Sequence, residues 1–296
     1  MRLLIITILI LSASSLRSQE ADPLLERIDL SKIALLNQTD NYITFPTDIG
    51  NIEPLIFEAN INPSFIIRER QDSNLIGVLS TQIRIRMYNE KSFPVRTPSY
   101  IPGISLFYLS PQSTPSYHLV FFGKIAHHSN GQEGPVFNEN GTVNLIDGNF
   151  STNYLEGGVI KTSQNKRHNA LKVFKSSVEY HPELSMEKEL RSEYSSLRWN
   201  NSWTAYKIPL GPSNSAKRPH LSLKLETSLL LDGYQDKEAF DFDRINFGLT
   251  FYYHPPFLEE VGFFAQYYRG MDYYNSYFKR QLSVLRFGIM TEILRF

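Results

Sequence analysis

Several segments of the chain alternate between apolar and polar positions. Leu221, Leu223, Leu225, Thr227, Leu229 and Leu231 interleave with Ser222, Lys224, Glu226 and Ser228. Ile83, Ile85 and Met87 stand against Arg84 and Arg86, and Ile245, Phe247, Leu249, Phe251 and Tyr253 against Asn246, Gly248, Thr250 and Tyr252. A period of two predicts strands with one apolar face. In a soluble sandwich that face points to the core; in a membrane barrel it meets lipid while the polar face lines the interior. Alternation alone fits both.

Three features tip the reading toward the barrel: an export signal, charges on the polar face that could pair inside it, and a C-terminal aromatic residue. Arg2, the apolar run Leu3 to Leu11 and the small-residue stretch Ser12 to Ser18 read as an export signal over residues 1–18, with a mature chain starting near Gln19. The apolar run is short of the roughly 20 residues that a spanning helix needs, and no later run approaches that length. There is no cysteine, so neither a disulfide nor a lipid-anchored N-terminus is available. Aromatics are abundant (17 Tyr, 20 Phe, 2 Trp), and the chain closes on Phe296, as outer-membrane barrels commonly close on an aromatic residue. Lys+Arg and Asp+Glu number 30 each, a balance that argues against nucleic acid as a partner. The expectation is an all-β, transmembrane antiparallel β-barrel of the outer membrane, its inward charges paired with one another.

A tilted spanning strand takes about 9–11 residues, and with its connection about 20–25, so the residues after 18 accommodate about 12 strands. Nothing divides them into domains. Residues 19–75 are the least regular and are expected to form an N-terminal extension plus the first strand; residues 76–296 supply the remainder of a single barrel.

One segment carries chemistry: His118 to Gln132, HLVFFGKIAHHSNGQ. The parity that groups Leu119, Phe121, Gly123 and Ile125 continues to His127 and Ser129, which a strand places on one side, about 6.5–7 Å apart along its axis. Such an imidazole and hydroxyl suit a nucleophile and its base, and on the apolar side of a barrel they face lipid. The plainer reading makes HHSNG the start of a polar loop, since Asn-Gly is a turn signal. His128, of opposite parity, is expected in the lumen or a loop without a chemical role. Asn153, with Leu155 and Val159 as parity mates, is a candidate to accept the imidazole N–H and fix its tautomer; it is equally an ordinary turn residue.

These residues resemble the outer-membrane phospholipase A family, whose His-x-Ser-Asn-Gly segment and later Asn form a Ser-His-Asn triad on a 12-stranded barrel. Here they read His127-His128-Ser129-Asn130-Gly131, then Asn153. Asp40-Asn41-Tyr42-Ile43 is similar to the family's early Asn-Tyr segment. Ser92 to Pro102 resembles its Arg-x-x-x-Tyr-x-Pro block, followed here by a strand expected from Ile104. Gln266 to Tyr277 resembles the acidic, Gly-containing segment before the last strand. The matches keep the family's order.

The resemblance implies a Ca²⁺-dependent phospholipase releasing sn-1 and sn-2 acyl chains, active as a homodimer, with Ser129 as nucleophile, His127 as base and Asn153 as orienter. It implies calcium ligands at the carbonyl of Gln132 and at Ser92, the latter across the dimer interface. Ser151 and Asn149 compete for the loop position, and Glu133 offers a further oxygen. The chain departs from the family in a loop between Gly131 and Asn153 of about twice the usual length, in Gln132 for an Arg, and in Thr152 for a Trp. Two other readings compete: a non-enzymatic outer-membrane barrel, either narrow channel or structural protein, and a secreted soluble β-protein.

Overall fold

The computed structural model describes residues 28–46, 48–114, 116–165, 170–191, 193–209, 219–232, 241–258 and 261–291. The signal segment 1–18 and Phe296 lie outside the described residues. The chain is a closed antiparallel barrel of twelve staves. The first, β1, comprises Tyr42–Thr44 and Ile49–Gly50, and the second, β2, Leu55–Ile61 and Ser64–Ile67. Then follow β3 (Leu75–Tyr88), β4 (Ser99–Leu109), β5 (Tyr117–Ser129), β6 (Ser151–Asn165) and β7 (Ala170–Tyr180). The circuit continues through β8 (Leu197–Pro209), β9 (His220–Leu230), β10 (Ile245–His254), β11 (Val261–Met271) and β12 (Gln281–Thr291). Each stave pairs with its neighbours in sequence, and β1 closes the ring on β12 through Tyr42–Met290 and Thr44–Gly288. Gly288 is required at this seam, because a Cβ there would stand 2.3 Å from the carbonyl oxygen of Ile43 and 2.6–2.9 Å from the Phe264 ring.

Two boundaries differ from the sequence reading. Of the expected extension 19–75, the described residues from 28 onward hold two staves rather than one: β1 is in two pieces, Tyr42–Thr44 and Ile49–Gly50, and β2 breaks at Asn62-Pro63, and each break hides the alternation. The fourth stave begins at Ser99, not Ile104, and runs through Pro102.

The alternating faces separate as a barrel demands. Leu106, Phe121, Ile125, Leu155, Val178 and Phe251 are exposed on the outside, while the opposite parity lines the lumen. There the charges neutralise one another: Arg86 bonds Glu58 at 2.7 Å and Asp272 at 2.8 Å, Arg286 bonds Glu58 at 2.8 Å, Lys175 bonds Glu156 at 2.8 Å and Lys224 bonds Glu226 at 2.9 Å. Buried charge is tolerated only when so paired.

Both mouths are filled. At the end where β5 starts and β6 finishes, helix α1 (Leu30–Leu36), capped by Asp29, enters the lumen. Its Leu30, Ile33 and Ala34 pack with Ile28 on the inward side chains Ile76, Val78, Phe107, Val120, Phe122, Ile160 and Leu171. At the other end, longer connections fold over the barrel around Val136, Phe150, Met186, Leu190, Tyr194 and Phe278. A polar cavity of about 420 Å³ remains between plug and cap. No helix among the described residues is long and apolar enough to cross a membrane.

Candidate active site

The register of β5 on β6 is unbroken from Tyr117–Ser163 to Ser129–Ser151 and sets His127 directly opposite Asn153. Ile125–Leu155, Gly123–Gly157 and Phe121–Val159 continue down the same outer face. His127 and Ser129 are half-buried on that face; His128 and Thr152 turn inward and are buried. His128 packs against the Phe150 ring, 4.8 Å between centroids.

Nδ1 of His127 lies 2.9 Å from Oδ1 of Asn153. The Asn153 amide cannot be read the other way round, because its Nδ2 donates to the carbonyl of Ser185 at 3.2 Å, and a carbonyl only accepts. Nδ1 therefore carries the proton and Nε2 keeps a lone pair, the tautomer a base requires. The hydroxyl of Ser129 makes no hydrogen bond to the ring in this conformation. Resting hydrolase sites often show such an open contact, which closes only around substrate.

On the other flank of β5, the ladder joins Tyr100 to Ser129 and Gly103 to Ala126, and the same register sets Pro102 opposite His127. Pro102 has no N–H to donate, so pairing lapses at that step. The Tyr100 ring stands beside Ser129 and Gly131; a Cβ on Gly131, whose φ is +68°, would lie 3.7 Å from it. Tyr100 and Pro102 of the Arg-x-x-x-Tyr-x-Pro block thus form one wall of the site.

Asn130 supplies a role that the turn reading missed. It is 1% exposed, and every hydrogen-bonding position of its amide is used. Nδ2 donates to the carbonyl of Gly148 at 2.7 Å and to Oγ of Ser276 at 3.3 Å, while Oδ1 accepts from the amides of Gln132 at 3.2 Å and Phe150 at 3.0 Å. The side chain closes the base of the long 131–149 loop just after Ser129.

The candidate metal ligands are only partly brought together. Ser151 pairs with Ser129, and its carbonyl is taken by the amide of Glu187 at 2.9 Å, leaving the hydroxyl. Asn149 donates Nδ2 to Glu187 at 2.9 Å, which leaves Oδ1 available as an oxygen donor. Gln132 adjoins them in the loop. Ser92 sits exposed on the separate 89–98 loop at φ +69° and touches none of these. Glu133 is exposed. Among the described residues, no group of three or more His, Cys, Asp or Glu is gathered for a metal. The available oxygens are hard and suit calcium rather than a transition metal.

No family model matches the sequence, and no curated protein matches it either. Solved structures do match. Outer membrane phospholipase A from Escherichia coli superposes with a TM-score of 0.57 at 11% identity, covering 86% of this chain and 94% of that one. An asparagine-to-alanine active-site mutant of the same protein gives 0.56 at 12%, covering 89% and 98%. The outer membrane phospholipase dimer of Salmonella typhi, with bound calcium, gives 0.58 at 12%, with the same coverage. At such identity the likeness is one of fold: over most of its length this chain resembles outer-membrane phospholipase A and shares its barrel.

Proposed function

We propose that the protein is an outer-membrane phospholipase that hydrolyses sn-1 and sn-2 acyl esters through Ser129, His127 and Asn153. The observation that carries this reading is the 2.9 Å contact between Nδ1 of His127 and Oδ1 of Asn153 on the outer face, one strand repeat from Ser129. A hydrolytic pair on the wall of a barrel meets bilayer esters without drawing the lipid out of the membrane. The site lies at the end with the longer loops, 130–150 and 181–196 among them, which in outer-membrane barrels is the extracellular end.

In this reading Nε2 of His127 takes the Ser129 proton as Oγ attacks the acyl carbon, then protonates the departing lysophospholipid oxygen. Asn153 holds the ring and disperses its transient charge without being ionised. Water, activated by the same nitrogen, releases the fatty acid and restores Ser129. The backbone amide of Ser129 would donate to the developing oxyanion. A calcium ion held by the Gln132 carbonyl and by Ser151 or Asn149, with Ser92 from a second copy of the chain, would supply further positive charge to that oxygen. The calcium-bound dimeric neighbour supports both the ion and the dimer.

A non-enzymatic barrel is the second reading, and the open Ser129–His127 contact is what favours it. The deciding experiment is fatty-acid release from mixed phospholipid micelles by wild type and Ser129→Ala, with and without a calcium chelator. The phospholipase reading expects activity that Ser129→Ala abolishes while the barrel stays heat-modifiable. Release unaffected by either change would refute it.

A further inference from the structure

Three consecutive residues at the start of β6 are gripped by one loop. The amide of Glu187 donates to the carbonyl of Ser151 at 2.9 Å. On the lumen side, Nδ1 of His181 lies 3.1 Å from Oγ1 of Thr152, and Met186 bridges the Thr152 backbone. On the lipid side, the carbonyl of Ser185 accepts from Nδ2 of Asn153 at 3.2 Å. From these contacts we propose that residues 181–187 are a positioning element of the active site, and that the Ser185 carbonyl selects the tautomer of His127. The proposal rests on the triad reading and deepens it.

The selection follows from donor and acceptor arithmetic. With the amide as placed, Asn153 offers oxygen to His127, so Nδ1 is protonated and Nε2 is the base. A flipped amide would set its oxygen against the Ser185 carbonyl, two acceptors face to face, and its N–H₂ against the ring. The ring would then protonate at Nε2 and lose its lone pair toward Ser129. Ser185 forbids that state.

The loop is itself braced. Ser185 donates its amide and its hydroxyl to the carbonyl of Pro182, each at 3.0 Å, forming the short turn Glu183–Ser185. Met186 is 4% exposed within the apolar cap, and Glu187 Oε2 accepts from Asn149 at 2.9 Å. The same residues therefore tie the orienting amide to the loop that carries the candidate calcium oxygens.

Two substitutions at Glu187 separate positioning from general stability. In Glu187→Pro, the native φ of −51° and the extended Met186 before it accommodate proline, so what is lost relative to Glu187→Ala is the N–H to Ser151. Glu187→Pro should have a kcat at least fivefold below Glu187→Ala at equal KM. Imidazole ¹⁵N spectra of the protein in detergent should show His127 as the Nδ1–H tautomer in wild type and a mixture in Glu187→Pro. Tautomers and rates alike in the two Glu187 variants would overturn the proposal. Because the spectra need no turnover, they decide it even if the wild type proves inactive, which would instead sink the triad.

Discussion

Arg86 and Asp272 meet inside the barrel in a two-pronged pair, Nη1 to Oδ2 at 2.8 Å and Nη2 to Oδ1 at 2.9 Å. The contact ties β3 to the 272–280 loop, whose Ser276 and Phe278 support Asn130 and the apolar cap. Both side chains are fully buried, and Arg86 also holds Glu58. Removing the guanidinium leaves Asp272 without a counter-charge and Glu58 with Arg286 alone, and breaking a buried pair costs about 3–5 kcal/mol. Arg86→Met is expected to lower stability by that order in urea unfolding from detergent. A loss below about 1 kcal/mol would mean that water reaches the cluster and screens it.

His181 makes stability depend on pH. Burial lowers its pKa from the ordinary 6.5, outweighing the hydrogen bond to Glu179, while Arg198 pushes the same way as burial and Asp232 opposes it. The rings of Tyr154 and Tyr194 pack on either side. A depressed pKa means that the folded protein binds this proton less readily than the unfolded chain, so the contribution is present above about pH 6.5 and is lost as pH falls below it. The heat-modification midpoint should drop between pH 7 and 5, and His181→Gln should flatten that slope. Equal slopes would place the titration elsewhere.

The lumen bears on the channel reading. Helix α1 seals one end with Ile33 and Ala34, both fully buried, and the loop cap seals the other. Wild-type protein in planar bilayers should therefore give no steady ion conductance. Open-channel steps of constant size would restore the channel as the leading function.

Much of this was legible beforehand. Parity from Leu119 to Ile125 put His127 and Ser129 on the outer wall, Leu155 did the same for Asn153, and the opposite face led to an expectation of paired inward charges, of which Lys224–Glu226 is one. What escaped has physical reasons. Ser185 acts through a carbonyl, which every residue possesses, so no side-chain pattern announces it. The first stave is in two pieces and the second breaks at Pro63, and a broken period of two looks like an irregular extension. Tyr100 and Pro102 were visible as a motif, but only the register of β4 on β5 gives them a place beside Ser129 and His127.

Asn130 was the costliest omission, since Asn-Gly reads as a turn whether the amide is solvated or buried. Its partners Gly148, Phe150 and Ser276 lie far along the chain, and only folding discloses them. Asn130→Ala removes the amide and orphans two backbone N–H groups and one carbonyl, at about 1–3 kcal/mol for each that water cannot reach. Asn130→Asp keeps the acceptor and loses the donors to Gly148 and Ser276, so it should fall between wild type and Ala. Because the clamp sets the backbone immediately after Ser129, kcat should decline in the same order. Limited proteolysis within 131–149 should accelerate in parallel, whereas Asn138→Ala, on the exposed tip of that loop, should change neither. If Asn130→Ala kept full activity with a protease-resistant loop, the amide would be dispensable, and the Ser129 backbone would have to be held by the β5–β6 ladder alone.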